Sequence, residues 1–476
     1  MADHSYPGHV EGASPQRYPP AVRPLVVITM LFLAACSAAT TDEPTTTSAP
    51  PPTTTTLPTT TTTLGAAGIY SLVSPALAFV ETPIGSGSAV LVDHDTLVTN
   101  AHVVWPASHV TVTFPSGLTG DVPVSGYDWM ADLALLDVSG LSGLPGAAVL
   151  GSGEPGPGDA VYLVGYPADD PGTASPAITA GIVSRNRTWS DGGVTFIQSD
   201  ALISGGQSGG ALVDEEGRVV GISGLSVGDG FALALSASDL IARIDSIRSG
   251  TDPDALGFRT LADLTGLPGH EAAIPFVLDE TVFVFQGAAG DFVSIEVSGS
   301  GAVNADLVGP DGFVETTNAE PAVRFVLEAE LVLDGPYFVV VYPESGPIEA
   351  VTVSGVDTRL WTDPDHGRTI EVGSLVAGNG DYPGDLDWFR LDLEAGETVT
   401  ISATSINIDA SLFVDLLEPG NGSVLMSDSD SGGGVLGYDS VLEFTAPETA
   451  AYAIAVFDET GFGPGGYMLR VEAARR

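Results

Sequence analysis

From about Ala66 onward the chain is made of short runs in which every second residue is apolar, the period of two that predicts strands with one buried face. Five such runs, Ser88 to Val92, Leu97 to Thr99, Val110 to Phe114, Leu133 to Val138 and Val161 to Val164, are separated by clusters of Gly, Pro, Asp and Ser. Close, regular spacing of this kind predicts an all-β barrel or sandwich. One later segment has helical spacing. Ser238 and Asp239 supply an N-cap, Leu240, Ile241, Ile244 and Ile247 fall on one face, and Gly250 supplies a stop. A helix should therefore close a first domain spanning 66–249.

Beyond it the pattern repeats. Phe283, Phe285, Ala289, Gly290, Asp291, Val293 and Ile295 recur in type 106 positions later as Phe389, Leu391, Ala395, Gly396, Glu397, Val399 and Ile401. Tyr337 to Val341 is echoed by Tyr452 to Val456. Two β-sandwich modules are predicted, over 256–355 and 356–476. The second, with Asp385-Leu386-Asp387-Trp388-Phe389-Arg390-Leu391 and Gly465-Gly466-Tyr467, resembles the bacterial pre-peptidase C-terminal domain, a small sandwich appended to secreted proteases. The first lacks both of those signatures. The second module contains no histidine after His366, so it is expected to fold on its own and to bind, to a polymer or a surface, rather than to catalyse.

The N-terminal segment reads as an address. Leu25 to Ala35 is an apolar run behind Arg17 and Arg23, too short to span a bilayer, and it predicts a signal peptide over 1–35. Leu33-Ala34-Ala35-Cys36 resembles the bacterial lipobox, which implies lipidation of Cys36; a plain secretory signal with Cys36 trimmed is the other reading. The tract 36–65, almost entirely Thr and Pro over much of its length, predicts a disordered linker. The expected location is the extracellular face of a bacterial envelope, lipid-anchored in the membrane, or secreted.

Composition removes several classes of function. The 476 residues carry 61 acidic and 15 basic side chains, a net charge of -46, so nucleic acid is not an expected partner. All the basic residues are arginine, and without lysine there is no P-loop, pyridoxal Schiff base or Ser-Lys dyad. The single cysteine cannot close an internal disulfide. His94 and His109 flank His102 but show no zinc-ligand spacing and read as surface residues. Asp428-Ser429-Asp430 has oxygen ligands suited to calcium and is read as a solvated loop. No cofactor and no metal is expected.

Three segments carry chemistry. Thr99-Asn100-Ala101-His102 ends a strand with an imidazole, Ala131-Asp132-Leu133 places a carboxylate before an apolar strand, and Gly205-Gly206-Gln207-Ser208-Gly209-Gly210 surrounds a serine with glycines. Each alone is weak; together they predict a triad. Ser208 needs a base to become a nucleophile, His102 is that base, and Asp132 fixes its tautomer. Glycines beside the serine allow the N–H groups of Gly206 and Ser208 to aim at one oxyanion. The Gly-x-Ser-x-Gly elbow of α/β-hydrolases demands a following helix and the order Ser, Asp, His; here a strand, turn and strand follow, and the order is His, Asp, Ser. That is the chymotrypsin-like order.

Residues 85–249 resemble a trypsin-like serine protease of the bacterial HtrA (Deg) type, in Gly85-Ser86-Gly87-Ser88-Ala89, Thr99 to Val104, Ala131 to Leu136, Thr179 to Ser184, Ile197 to Gly210 and Gly230 to Leu233. The resemblance implies an all-β fold, a chymotrypsin-like double β-barrel with the site between barrels, followed here by two small β-sandwich domains. It also implies endopeptidase activity on protein or peptide substrates through an acyl-enzyme. In such enzymes the residue six before the serine, here Leu202, lies at the base of the pocket for the residue before the cleaved bond, with a wall at Ser223, Gly224 and Leu225. No carboxylate is placed there, so small or medium apolar residues are the expected preference. Gly205 and Gln207 stand where the family has Pro and Asn, Ala211 stands where it has Pro, and no PDZ-like domain follows. The alternative is a surface adhesion or binding protein whose protease-like domain is inactive, against which the intact His, Asp and Ser set argues.

Overall fold

The computed structural model describes residues 64–168, 175–227, 231–249, 270–274, 279–361, 363, 365–382, 384–407, 410–417, 424–434, 437, 439–458 and 465–474. The signal-like segment, Cys36, the Thr/Pro tract up to 63, Gly230 and Gly250 lie outside them. No helix among the described residues is long and apolar enough to cross a membrane.

Helix α1 (Ala66–Val73) leads into β1 (Leu77–Thr82), β2 (Gly85–Leu91), β3 (Thr96–Thr99), the single turn α2 (Ala101–Val104), β4 (His109–Thr113), β5 (Thr119–Asp128) and β6 (Leu133–Asp137). These six strands close as a barrel in the order β1-β2-β3-β6-β5-β4. β7 (Ala160–Gly165), β8 (Ala177–Trp189), β9 (Val194–Leu202), β10 (Ala211–Val213), β11 (Val219–Val227) and β12 (Phe231–Ser236) close a second, β10-β11-β12-β9-β8-β7. Closure gives every strand two partners and leaves no edge to blunt. Helix α3 (Ala237–Ser249) follows.

Its cap lies two residues earlier than expected. The Ser236 hydroxyl accepts the Asp239 N–H at 3.3 Å, while Asp239 is spent accepting the Thr195 N–H at 2.6 Å. Leu240, Ile244 and Ile247 are buried, whereas Ile241 is exposed. Arg243, on the buried side, donates to Asp128 at 2.5 Å and to the Gly192 carbonyl at 2.9 Å, and so ties α3 to the end of β5.

The duplicated C-terminal pattern is real at the level of register. Phe285 faces Tyr337 across one strand pair, and Leu391 faces Tyr452 across the equivalent pair. Each tyrosine hydroxyl donates to a carbonyl four residues back, Leu333 at 3.0 Å and Glu448 at 2.7 Å. Gly290 and Gly396 both take positive φ, 88° and 82°, in equivalent turns. The copies then diverge. The second is a two-sheet sandwich, five strands against four, around Phe389, Leu391, Ile401, Tyr452 and Leu469. The first is one continuous eight-stranded sheet rather than two. Its long strand Phe292–Val308 pairs through one half with the strands at 322–330 and 348–354, and through the other half with those at 314–317 and 335–343.

Neither module stands apart from the barrels. In the strand Thr281–Gly287, Phe283 and Phe285 enter the module's own core, while Val282 and Val284 lie in one cluster with Trp105, Tyr127 and Trp129 of the first barrel. Ala377, Ile406 and Met468 of the second module lie in a cluster with Met130, Ala131 and Trp189. The terminal module has a core of its own and is also docked: Ala377 and Met468 of its four-stranded sheet, with Ile406, share a cluster with the protease portion.

The Arg243–Asp128 pair supplies a stability test. Both side chains are at least nine-tenths buried. Removing one partner of such a pair strands the other charge, at a cost of about 3 to 5 kcal/mol. Arg243→Met should lower the first unfolding transition in a thermal melt well below wild type; an unchanged melt would contradict it.

Candidate active site

His102 stands on α2, Asp132 on the turn between β5 and β6, and Ser208 on the loop between β9 and β10, so the two barrels contribute two residues and one. Asp132 is the only non-glycine residue among those described with a positive φ, 50°. Aspartate tolerates this left-handed region better than most residues do, yet at a cost that neighbouring restraints must offset. Those restraints are present. The Asp132 N–H donates to the Trp129 carbonyl at 3.3 Å, the Ala131 N–H to the Asp128 carboxylate at 3.1 Å, and the Asn100 amide to the Asp132 carbonyl at 2.9 Å.

So held, the Asp132 carboxylate meets His102 twice. One oxygen accepts the His102 backbone N–H at 3.0 Å and the other lies 2.7 Å from Nδ1. An ionised carboxylate there requires the proton on Nδ1, which leaves Nε2 as an acceptor. Desolvation opposes the imidazolium, but the charge and hydrogen bond of Asp132 together outweigh it, so the His102 pKa is raised above its usual 6.5.

The serine loop is fixed by buried hydroxyls on both sides. From the first barrel, Ser88 donates through Oγ to the Gly206 carbonyl at 2.8 Å, and its N–H donates to the Ser208 carbonyl at 2.8 Å. From the second, Ser223 Oγ donates to the Gln207 carbonyl at 2.7 Å. Gln207, buried where the family has Asn, closes the loop on itself by accepting the Ser204 N–H at 2.9 Å and its hydroxyl at 3.1 Å. Gly206 and Gly209 have φ of 85° and 81°. A Cβ on Gly209 would strike the Ser88 carbonyl and the Thr99 hydroxyl, and one on Gly206 would come within 2.6 Å of the Tyr166 carbonyl. Among the described residues, neither the Gly206 N–H nor the Ser208 N–H donates to a protein acceptor. Ser208 Oγ donates to the Gly224 carbonyl at 3.1 Å, not to His102.

Two residues expected at the substrate pocket behave differently. Ser223 is wholly buried with its hydroxyl on Gln207, so it is a support of the loop and not a wall open to substrate. Leu202 is 65% exposed, which places it at the surface and not beneath a pocket. Gly224 and Leu225 are half-buried, and His94 and His109 are exposed. Ser88, Thr99 and Asn100 were not singled out as site residues, although a buried polar residue within an apolar strand is a signal that it serves a partner.

Groups whose ligand atoms could converge on a cation occur away from Asp428. Asp428 uses its carboxylate to accept from the Ser431 hydroxyl at 2.8 Å and the Val441 N–H at 2.8 Å, as a loop staple. Instead, ligand atoms of Asp363, His366 and Asp387, and of Asp363, Asp381 and Asp385, come within 4.8 Å of one another at the start of the second module. Such oxygens suit a hard divalent ion. Burial first, and then the charges of Asp363 and other neighbours, push the Asp385 and Asp387 carboxyls well above the usual range. Burial also pushes Asp415 and Asp439 to about 6.

Residues 87–222 match the trypsin-like peptidase domain, and residues 385–458 match the bacterial pre-peptidase C-terminal domain. Serine protease HTRA2, mitochondrial, of Bos taurus is 37% identical over 167 residues, 34% of this chain and 36% of that protein. Serine protease HTRA1B of Danio rerio is 34% identical over 167 residues, 34% of each chain. The chain thus spans about a third of the length of these two curated relatives. The periplasmic pH-dependent serine endoprotease DegQ of Escherichia coli (strain K12) is 31% identical over 319 residues, 62% of this chain and 66% of that one. A solved serine endoprotease from Yersinia pestis aligns over 40% of this chain and 68% of its own at 28% identity, with a TM-score of 0.35.

The raised carboxyl groups set a pH test. A group whose pKa is higher folded than unfolded stabilises the fold below its unfolded value, about 4 for Asp, and that contribution is lost as pH rises through the folded value. For Asp415 and Asp439 the loss runs from about pH 4 to about pH 6 and is complete above that. Mutual repulsion in a chain of charge -46 acts in the same direction. In a chelator, the melting temperature should be higher at pH 5 than at pH 7.5; the reverse order would overturn this account.

Proposed function

Starting from a chain that carries a trypsin-like peptidase domain of the HtrA type and a bacterial pre-peptidase C-terminal domain, we propose that it is a serine endopeptidase acting on proteins or peptides, with Ser208 as nucleophile, His102 as base and Asp132 as the group that orients it. The observation that carries this reading is the double contact of Asp132 with His102, at 3.0 and 2.7 Å, which commits Nδ1 and frees Nε2.

In the reaction the Ser208 hydroxyl leaves the Gly224 carbonyl for His102 Nε2, which takes its proton as Oγ attacks the scissile carbonyl carbon. The carbonyl oxygen becomes an oxyanion, for which the Gly206 and Ser208 N–H groups are the available donors. Collapse of the tetrahedral species passes the imidazolium proton to the leaving amine and leaves an acyl-serine. Water, deprotonated by the same imidazole, then releases the acid. Asp132 stays ionised and stabilises the imidazolium throughout. Gly224 and Leu225, both half-buried, are the residues proposed to meet the side chain before the cleaved bond, and neither is charged. The finer readings of location rest on sequence alone: Leu33-Ala34-Ala35-Cys36 supports export and lipidation at Cys36. The terminal modules are proposed to meet a polymer or surface with faces that the barrels leave free.

A fluorophosphonate probe should label wild type at Ser208 and leave Ser208→Ala unlabelled. Asp132→Asn should lower turnover by about 10⁴, through loss of the right tautomer. Equal labelling of wild type and Ser208→Ala would end the proposal. Since His102 must be neutral to act as base and its pKa is raised, kcat/KM should climb with pH through a value above 6.5. A peptide library should show cleavage after small or medium apolar residues, and a profile dominated by Arg or Lys would contradict the pocket assignment.

A further inference from the structure

The turn that carries Asp132 is contacted from outside the barrels. The Trp129 carbonyl accepts two hydrogen bonds: one from the Asp132 N–H at 3.3 Å, and one from the side-chain amide of Asn407, in the second sandwich, at 3.1 Å. Next to it, Gly466 of the same sandwich packs flat on the chain. A Cβ there would lie 3.0 Å from the Met130 N and 3.1 Å from the Trp129 carbonyl carbon, and closer still to the Met130 sulfur. Three further ties keep the module in register: Trp189 Nε1 donates to Thr404 Oγ1 at 2.9 Å, Arg470 pairs with Asp191 at 2.5 Å, and Ile406 and Met468 are buried in a cluster with Met130 and Ala131. From the other side the Trp129 ring stacks on Tyr127 at 5.7 Å, within a cluster that includes Val284 and Phe338 of the first module.

We infer that the C-terminal sandwich is a positioning element for the protease site: Asn407 and the bare backbone at Gly466 fix the Trp129 carbonyl and the Met130 amide, so that Asp132 keeps its left-handed conformation and both its bonds to His102. This rests on the catalytic roles proposed above. A residue at φ 50° persists only where its surroundings over-determine it, and here part of that determination comes from residues some 275 to 335 positions away in the chain. Asn407 and Gly466 touch no reacting atom; they act through the Trp129–Met130 peptide.

Displacing a catalytic group by about 1 Å costs on the order of 100-fold in rate. Gly466→Ala, which puts a methyl against that peptide, should lower kcat/KM by about that factor, and Asn407→Ala by a smaller one. Loosening Asp132 also withdraws the interaction that raises the His102 pKa, so the acid limb of the kcat/KM profile should move to lower pH. Fluorophosphonate labelling should slow in parallel. Val399→Ala, in the core of the same module and away from the contact, is the control. It should lower the melting temperature while leaving the pH limb in place, whereas a merely structural role for Gly466 would give both variants the same behaviour.

The decisive measurement is independent of activity. In full-length Ser208→Ala protein with ¹⁵N-labelled histidine, of which the chain has 7, the His102 signal identified by its loss in His102→Gln should titrate lower in Gly466→Ala and Asn407→Ala, by about half a unit or more. Should Gly466→Ala fail to fold, Asn407→Ala decides. Unchanged His102 titration in the variants that fold, with wild-type kcat/KM, overturns the inference. An inert wild type whose His102 still shifts in these variants would refute the protease reading and leave the positioning contact standing.

Discussion

The backbone of Asp132, turned to φ 50°, is the constraint on which the site depends. A residue in the ordinary strand or helix region at this point would carry its carboxylate elsewhere. In the left-handed conformation the carboxylate reaches the imidazole and the backbone N–H of His102 together, while the Asp132 carbonyl reaches Asn100. The surrounding architecture can be read as what holds that one conformation. Asp128, three residues before Ala131 and accepting its N–H, is anchored by the buried Arg243 of α3, and the Trp129 carbonyl is anchored by Asn407. Helix, barrel and sandwich converge on five residues.

The serine loop is held by a different device, and the contrast is instructive. Positive φ at Gly206 and Gly209 carries little steric cost because there is no side chain, and buried hydroxyls from two barrels pin the carbonyls. Ser88 and Ser223 sit on strands of different barrels, so the relative placement of the barrels and the shape of the loop are one variable. This explains why Ser223 is unavailable to substrate. Its hydroxyl is already used to hold the nucleophile's neighbour, and moving it would leave the Gln207 carbonyl without that partner.

Much of this was legible in the sequence. The alternating runs located strands of both barrels, and the three chemistry-bearing segments named His102 and Asp132, which the structure joins by a direct contact, and Ser208, whose loop is bonded to a strand of each barrel. The internal repeat foretold matched registers at Tyr337 and Tyr452. What was not legible depends on long-range partners. No local pattern could say that Ser223 faces Gln207, that Asn407 reaches Trp129 across 278 positions, or that carboxylates from 363 to 387 would be gathered and buried together. The helix cap was misplaced by two residues because Asp239, a good cap by type, is taken by the Thr195 N–H.

One signal of the docked modules was present and can be read in physical terms. A strand with one solvated face alternates; a strand covered on both faces does not. Tyr337-Phe338-Val339-Val340-Val341 contains no polar residue, and in the structure Tyr337, Val339 and Val341 fill the module core while Phe338 and Val340 turn the other way, into the cluster with Trp105 and Trp129. Its repeat partner, Tyr452-Ala453-Ile454-Ala455-Val456, has alanine at the outward positions, and that sheet is not the one through which the second module meets the barrels. The second copy docks through its other sheet, where Ala377 and Met468 are buried in the cluster containing Met130. The two copies therefore have similar cores, and the residues on their outer faces differ with the face of each that is covered. That arrangement places the first copy under the aromatic side chains of the Tyr127–Met130 segment and the second against its backbone, so that the segment leading to Asp132 is held from both sides.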